Sequence, residues 1–197
     1  MTNNNLTTKL SKEFDTGNFK VGASYTKVLC WYIVNLVFFR SGIMPLSNVL
    51  VWLLRIFGSN IGHDVRIKPH IQIKYPWKLT VGNYSWLGSC IIENLDQVTI
   101  GNHVCISQGA MLLTGNHNYN LQTFDLITGQ IILEDGVWIC ANSIICPGVT
   151  AESQSVLCVG SVANKSLEAN CIYQGNPSQL VKKRKIIILP VSTGTAC

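Results

Sequence analysis

A six-residue repeat of aliphatic side chains runs through most of this chain and limits what it can fold into. Written in sixes from Ile61, the chain reads IGHDVR and IKPHIQ, then after a slip VGNYSW and LGSCII, and after another IGNHVC, ISQGAM and LLTGNH. A last block reads LEDGVW, ICANSI, ICPGVT, AESQSV and LCVGSV. The first position is almost always Ile, Val or Leu, and the fifth is small or β-branched. This period is typical of a β-helix, in which stacked coils bury one continuous core.

The repeat also predicts the shape of each coil. Each hexad is expected to form one short strand and one corner, so that three hexads close a triangular coil with the first residue pointing inward. Glycine recurs at the second position, which indicates a crowded backbone or a positive φ. These glycines are Gly62, Gly82, Gly88 and Gly101. Cys140 and Cys158 share that position eighteen residues apart, so we expect them to stack as small reduced residues, with a disulfide as the lesser alternative.

Composition narrows the class of protein. The 197 residues are 47% hydrophobic and only 13% charged, which suits a well-buried globular chain. The net charge of +5 and the basic run at residues 182–185 favour an anionic partner, such as a phosphate-rich cofactor or an acidic lipid surface; a solvated tail is the alternative. The eight cysteines form no CxxC pair and the polar start lacks a secretory core, so we expect a reduced, cytoplasmic protein.

Two apolar stretches precede the repeat. Residues 28–39, VLCWYIVNLVFF, end at Arg40 and are too short to span a bilayer, which needs about 20 residues. PLSNVLVWLLRIF follows, with Pro45 well placed to start a second helix. We therefore predict an N-terminal segment over 1–58 with two short helices, with membrane-surface contact through residues 28–57 as a further possibility. The β-helix is expected over 59–184 and a tail over 185–197.

The repeat breaks at TGNHNYN, residues 114–120. Between His117 and Ile127, the stretch NYNLQTFDL does not fit the hexads, so an external loop is predicted over 118–126. A loop on a rigid scaffold is a natural place for a functional site. The ordinary histidine pKa, near 6.5, suits removal of a proton from an attacking alcohol; an unremarkable surface imidazole is the alternative. His63, His70 and His103 are predicted to face outward.

Several stretches together resemble the hexapeptide-repeat acyltransferases, and most closely the colanic-acid and capsule-type sugar O-acetyltransferases. They read GNYSWLG, VTIGNHVCISQGA, TGNHNYNLQTFDL, ILEDGVWI, PGVT and QGNPSQLVKKR. The resemblance covers about 61–184 and implies a mainly β fold, a left-handed parallel β-helix. The handedness comes from the resemblance, because crossovers between parallel strands are otherwise right-handed. It also implies an acetyl-CoA-dependent O-acetyltransferase of surface polysaccharide assembly.

The resemblance further implies partners. The acceptor would be a sugar or a lipid-linked glycan. The protein would be a homotrimer with sites between subunits. It would be located in the cytoplasm or at the inner face of the membrane. No nucleic-acid partner is expected.

The same resemblance assigns roles to individual residues, with His117 as the general base. Those implied for acetyl-CoA are Trp138, Ala141, Val159, Gly160, Asn164, Lys165, Pro177 and Lys182. Candidates for acceptor contacts are Ser89, Glu93, Asn94 and Asp125, and Glu93 could instead orient His117. The chain departs from the family pattern with TAES at 150–153, NKS at 164–166 and Gln179, which leaves individual polar contacts open.

Other functions stay open at this point. The acceptor could be a soluble amino sugar, serine or an antibiotic, and the donor could be a longer acyl thioester. The solenoid could also be a non-catalytic scaffold, which would bind no CoA and would tolerate His117→Ala. Cys140 could act as a nucleophile, which predicts ping-pong kinetics. The γ-type carbonic anhydrases share this solenoid, but their HxxxxH pair is missing here, so no metal site is predicted.

Overall fold

The computed structural model describes residues 7–10 and 14–187. Helix α1 (Tyr25–Val34) continues into a π-helical segment (Asn35–Arg40), and α2 (Ser47–Ile56) follows. Ser24 begins α1, because its side chain accepts a hydrogen bond from the Lys27 N–H. Two helices were predicted in this region and two are found.

Short strands make up the rest of the described chain. The first three coils contain β1 (Asn60–Ile61), β2 (Arg66–Ile67), β3 (Gln72–Ile73), β4 (Leu79–Val81), β5 (Trp86–Leu87), β6 (Ile91–Glu93), β7 (Val98–Ile100), β8 (Cys105–Ile106) and β9 (Met111–Leu113). A 3-10 turn (Pro76–Lys78) precedes β4. An antiparallel pair follows, formed by β10 (Gly115–His117) and β11 (Leu126–Thr128).

The later coils continue the same pattern. They contain β12 (Ile131–Leu133), β13 (Trp138–Ile139), β14 (Ile144–Ile145), β15 (Thr150–Ala151), β16 (Val156–Leu157), β17 (Val162–Ala163), β18 (Cys171–Gly175) and β19 (Ser178–Lys183). The last two strands form an antiparallel hairpin. Most of the predicted tail, residues 188–197, lies outside the described residues.

The strands form three parallel faces of a solenoid. The first face has the order β1-β4-β7-β12-β15, the second β2-β5-β8-β13-β16-β18 with β19 added at its edge, and the third β3-β6-β9-β14-β17. Each parallel strand therefore pairs with the strand one coil before or after it. We call the turns between the first and second faces the first corner, those between the second and third the second corner, and those that return to the first face the third corner. The predicted β-solenoid is confirmed.

The repeat gives the core its regular composition. Side chains at the first hexad position are buried in every coil, as at Ile67, Leu87 and Leu133. The predicted register is wrong at one place: Ile91 is only partly buried, and Cys90 fills the interior position instead. The reason is that Leu87 and the next interior residue, Ile92, are five residues apart rather than six, so this second corner is one residue shorter.

Crowding explains the glycines at the second position. None of the four has a positive φ. A Cβ on Gly82 would lie 2.5 Å from the carbonyl carbon of Gly101, and one on Gly101 would lie 2.5 Å from Oδ1 of Asp135. The coils approach closely at the first corner, which holds all of these glycines except Gly88, and a side chain would force them apart.

A ladder of polar side chains occupies that corner. The backbone N–H of His63 donates to Asn83 Oδ1 at 3.0 Å, that of Asn83 to Asn102 Oδ1 at 2.9 Å, and that of Asn102 to Asp135 Oδ1 at 2.7 Å. The last bond also holds the pKa of the Asp135 carboxyl below its usual value. Each coil thus satisfies a backbone donor of the coil before it.

The helices pack on the first coil and cover the end of the core. Trp31 is buried and donates from its indole nitrogen to the Ile73 carbonyl at 3.0 Å. The Ser47 hydroxyl accepts from the Ile67 N–H at 2.8 Å, and Arg55 donates to the Ile61 carbonyl at 2.9 Å. Among the described helices, none combines the length and apolar character needed to cross a membrane.

Two neighbouring isoleucines of β14 test which side chains point into the core and which point outward. Ile145 is fully buried and Ile144 is only partly buried. We expect Ile145→Ala to lower the free energy of unfolding by about 2–5 kcal/mol through lost contacts and a cavity. Ile144→Ala, the matched control, should cost about 1 kcal/mol or less. Urea unfolding of both variants measures this difference, and equal costs would contradict the register.

Candidate active site

The break in the repeat is a hairpin arm that leaves the third corner after β9. Strands β10 and β11 pair antiparallel, with His117 opposite Leu126. Inside the turn, the Asn118 side chain accepts a hydrogen bond from the Asn120 N–H at 3.1 Å, an arrangement typical of asparagine in tight turns. The chain rejoins the ladder at β12, so the solenoid continues undisturbed beneath the arm.

The imidazole of His117 is held in one orientation. Its Nδ1 lies 2.7 Å from the carbonyl oxygen of Phe124. A carbonyl only accepts hydrogen bonds, so Nδ1 carries the hydrogen and Nε2 of the neutral ring keeps its lone pair. The ring also stacks on the Phe124 side chain, with centroids 4.5 Å apart and planes at 8°, and meets the edge of Phe14 at 5.8 Å. The arrangement presents Nε2 as a proton acceptor.

The segment before α1 braces the arm. The Leu126 N–H donates to the Asp15 carbonyl at 2.9 Å, and the Asp15 N–H donates to Asp125 Oδ1 at 3.2 Å. Asp125, which was predicted as an acceptor contact, ties the N-terminal segment to the arm in this structure. Sequence reasoning did not identify Phe14, Asp15 or Phe124. Phe14 and Asp15 contact the arm from about a hundred residues away, and Phe124 reaches His117 only when the hairpin closes. Neither kind of contact leaves a trace in a six-residue period.

Glu93 lies at the end of β6, one coil before the hairpin arm. Its carboxylate pairs with Lys74, and its carbonyl accepts from the Thr114 N–H at 3.2 Å. Both charged side chains line a cavity of about 390 Å³ beneath α1 that Arg40 also lines. The carbonyl of Phe124, rather than Glu93, orients His117, which corrects the alternative role predicted for Glu93.

The structure also corrects the prediction that Asn94 contacts the acceptor. Asn94 is completely buried. Its Oδ1 accepts from the Tyr75 N–H at 2.9 Å, and its Nδ2 donates to the carbonyls of Tyr75 at 2.7 Å and Lys78 at 3.2 Å. The amide therefore fastens the third corner of one coil to that of the previous coil, and it offers no surface to a ligand. Ser89, another predicted contact, lies at the second corner, away from the corner that carries His117.

The residues predicted for acetyl-CoA fall into two groups. The first lies on the second face and second corner of coils four and five. Trp138 is 45% exposed and donates from its indole to the Ser107 hydroxyl at 3.1 Å. Gly160 donates its N–H to the Ala141 carbonyl at 3.0 Å, and Val159 beside it is 64% exposed. This group, which we call the tryptophan strip, is an apolar surface open to solvent.

The second group lies around the end of the solenoid. Asn164, Lys165 and Pro177 line a cleft of about 380 Å³, between the third corner of coil five and the β18–β19 hairpin. Lys182 lies on β19, exposed and opposite Ile172. Within one chain, the tryptophan strip and this cleft occupy different corners of the prism. His117 lies at the third corner, as the cleft does, and not at the second corner, where the tryptophan strip lies.

Cys140 is poorly suited to nucleophilic chemistry. Burial, with the nearby Cys158 and Cys105 thiols, raises its pKa to about 11, so the thiol is protonated at neutral pH. Every cysteine in the described part of the chain is a free thiol, so the alternative disulfide between Cys140 and Cys158 is not formed. Within residues 7–10 and 14–187, no three His, Cys, Asp or Glu side chains gather into a group that could hold a metal ion.

Comparison with known proteins places this chain in a family. No family model matches the chain. It is 36% identical over 164 residues to a putative colanic acid biosynthesis acetyltransferase, WcaF, of Escherichia coli strain K12, an alignment that covers 83% of this chain and 90% of the relative. It is also 25% identical over 136 residues to the galactoside O-acetyltransferase of the same strain, covering 66% of each.

Solved structures share the fold. A hexapeptide-repeat acetyltransferase of Vibrio cholerae, solved with acetyl-CoA, superposes with a TM-score of 0.76 at 20% identity, covering 87% of this chain and 95% of the other. A galactoside acetyltransferase solved with CoA gives 0.69 at 20% identity, covering 81% and 82%. The chain belongs to the hexapeptide-repeat acetyltransferases, and its enzyme class is acetyltransferase.

The role of Asn94 can be tested by stability. Asn94→Ala leaves the Tyr75 N–H buried without a partner, so we expect a loss of about 2–3 kcal/mol in the free energy of unfolding. The exposed Asn48 of α2 is the control, and Asn48→Ala should change stability by about 0.5 kcal/mol or less. If Asn94→Ala instead kept full stability and raised only the KM for an acceptor, the structural assignment would fail.

The Cys140 thiol can be tested by alkylation. Because its pKa is raised to about 11, the rate of modification by iodoacetamide should be low at pH 7 and rise tenfold per pH unit up to that value. Cys140→Ala should keep steady-state acetyl transfer within about twofold of the parent, because no bond to sulfur forms. Acetylated Cys140 detected by mass spectrometry after rapid quenching would contradict this.

Proposed function

We propose that this enzyme transfers the acetyl group of acetyl-CoA to a sugar hydroxyl, with His117 as general base. The observation that carries the proposal is the hydrogen bond from Nδ1 to the Phe124 carbonyl, because it fixes the tautomer whose Nε2 accepts a proton. Nε2 removes the hydroxyl proton as the oxygen attacks the thioester carbonyl, and the imidazolium then returns a proton to the departing sulfur. The hydroxyl hydrogen thus ends on CoA, and the acetyl group on the sugar oxygen.

Acetyl-CoA as donor is supported by the two related structures solved with acetyl-CoA or CoA. The chain's own residues fit such a ligand. The tryptophan strip of one copy offers an apolar surface for the pantetheine arm, and the cleft at Asn164 and Lys165 of a neighbouring copy offers a cation and an amide for the polar end. The exposed Lys182 adds a second point charge for phosphate.

We infer that the complete site needs two copies of the chain. In one copy the tryptophan strip lies at the second face and corner, whereas His117 extends from the third corner. A neighbouring solenoid, packed alongside with its axis parallel, would bring its strip against this chain's hairpin arm. In a homotrimer with threefold rotational symmetry, three such contacts form a closed ring, and each contact joins the same two surfaces.

The acceptor is proposed to be a sugar of a surface polysaccharide, free or lipid-linked. Support comes from the relative named for colanic acid biosynthesis and from the one named galactoside O-acetyltransferase. We propose the cytoplasm as the compartment, because seven free thiols in the described residues suit a reducing environment. A scaffold would need only the repeat; the braced arm and the fixed imidazole favour catalysis.

His117→Asn tests the base directly. The asparagine amide can still donate to the Phe124 carbonyl, so the arm should keep its shape while the base is lost. We expect kcat to fall by roughly 10²–10⁴-fold. Release of CoA thiol from acetyl-CoA with a galactoside acceptor measures kcat, and calorimetric titration with CoA should show affinity within about threefold of the parent.

The control is His103→Asn, the same change at an exposed histidine on an earlier coil. Its positive φ of 55° is a backbone conformation that asparagine adopts readily, and activity should be unchanged. Full activity of His117→Asn would remove His117 from the chemistry. Failure of both the parent and the variant to bind CoA would overturn the acetyl-CoA proposal itself.

A further inference from the structure

The outer face of the N-terminal helix is apolar where a surface helix is ordinarily polar. Exposed large side chains recur every three or four residues, so they lie along one stripe of α1 and its π-helical continuation. This outer stripe consists of Tyr25, Leu29, Tyr32, Ile33, Leu36 and Val37. Tyr25 is 80% exposed and Tyr32 is 61% exposed. A water-facing helix of a globular domain carries its charged residues here.

The opposite side of the same helix is fixed in the core. Trp31 and Phe39 are 2% and 0% exposed and meet edge to face at 5.1 Å. The Trp31 indole is bonded to the Ile73 carbonyl, and the Phe39 carbonyl accepts from the His70 N–H at 2.9 Å. The helix therefore cannot rotate to bury the outer stripe without breaking these contacts, and the stripe remains available to something outside the chain.

The apolar surface continues beyond α1. Leu36, Val37 and Ile43 line an open groove of about 470 Å³ with Arg40 at its edge. The second helix exposes Trp52 and Ile56, one turn apart. Tyrosine and tryptophan are the aromatic residues that prefer the boundary between lipid headgroups and acyl chains. This many exposed apolar side chains on one segment of a domain mark an interaction site.

Charge selects the kind of partner. Between Asp15 and Asp64 the sequence has no Asp or Glu, and it has four basic residues. They are Lys20, Lys27, Arg40 and Arg55. The segment that carries the apolar stripe thus has cations and no carboxylate of its own, and the nearby Glu93 is paired with Lys74. This pattern matches a bilayer that contains acidic lipids, in which anionic headgroups lie above apolar acyl chains. Two copies meeting stripe to stripe would instead bring the cations of two such segments together.

Length decides how the helix meets the bilayer. The helix and its continuation have 10 and 6 residues. A helix needs about 20 residues to span the hydrocarbon core. A shorter helix with one apolar face lies along the interface instead, with that face in the headgroup and upper acyl region.

We propose that the outer stripe is a membrane-docking surface, which seats the enzyme on an anionic bilayer with α1 parallel to the membrane plane. Arg40 and Lys20 then face acidic headgroups, while Leu29, Ile33 and Leu36 enter the acyl boundary. The proposal is independent of the catalytic role of His117. It would place the active site within reach of an acceptor that is held at a membrane.

Vesicle sedimentation of the full chain tests the surface. The probes are vesicles of phosphatidylglycerol with phosphatidylcholine, and vesicles of phosphatidylcholine alone. The parent should bind the anionic vesicles, and more weakly as salt is raised, because screening reduces the attraction. Leu29→Glu/Ile33→Glu/Leu36→Glu should lower the partition coefficient at least tenfold. Ile186→Glu, an isoleucine of similar exposure outside the helices, is the control and should leave binding unchanged.

A single charge variant keeps the proposal testable if the triple variant fails to fold. Arg40→Gln should weaken binding to anionic vesicles by roughly fivefold, and Lys185→Gln should have a smaller effect. Acetyl transfer to a soluble acceptor should stay the same in all variants, so loss of docking is distinguishable from loss of function. No parent binding to anionic vesicles, or binding unchanged in the triple variant, would overturn the proposal. A smaller particle for the triple variant by light scattering, without a change in vesicle binding, would assign the stripe to a second copy.

Discussion

The structure depends on the backbone ladder between successive coils, because every other feature is positioned by it. Each strand has only two or three residues in most coils, too few to be stable alone. Stacking converts these fragments into continuous parallel sheets and converts single aliphatic residues into continuous interior columns. The same stacking fixes the corner polar groups, such as Asn83, Asn102 and Asp135, one above another.

The rigid ladder explains how an arm can leave the solenoid and still hold the His117 side chain in place. Strand β12 pairs with β7 as though the hairpin arm were not there. The arm is then fixed from outside, by its own antiparallel pairing and by the segment at Asp15. His117 is oriented by a carbonyl seven residues further along the chain, so its geometry depends on the arm closing correctly. In the proposed role of His117 as base, preorganisation of this kind means that the arm need not rearrange during the reaction.

The N-terminal helices show a second use of the scaffold. They close the first coil with Trp31, Phe39 and Leu54, which protects the interior columns from water. Their outward residues do not contribute to this cap, because no part of the described chain covers Leu29 or Ile33. One short segment therefore caps the core on one side and presents an apolar surface on the other. A polar outer face would have served capping equally well.

The coils could be predicted from the sequence alone, because each hexad repeats the same local pattern of one buried aliphatic side chain, as at Ile67, Leu87 and Leu133. The sequence also located the break at His117, because a loop interrupts that period visibly. Tertiary structure decided what a periodic pattern does not encode. The short corner at Cys90, the burial of Asn94 and the brace at Asp15 depend on contacts between segments that are separate in the sequence. The Phe124 carbonyl orients His117 only once the hairpin arm has closed. Such contacts exist only once the chain has folded, because they are set by how the coils stack and how the arm pairs.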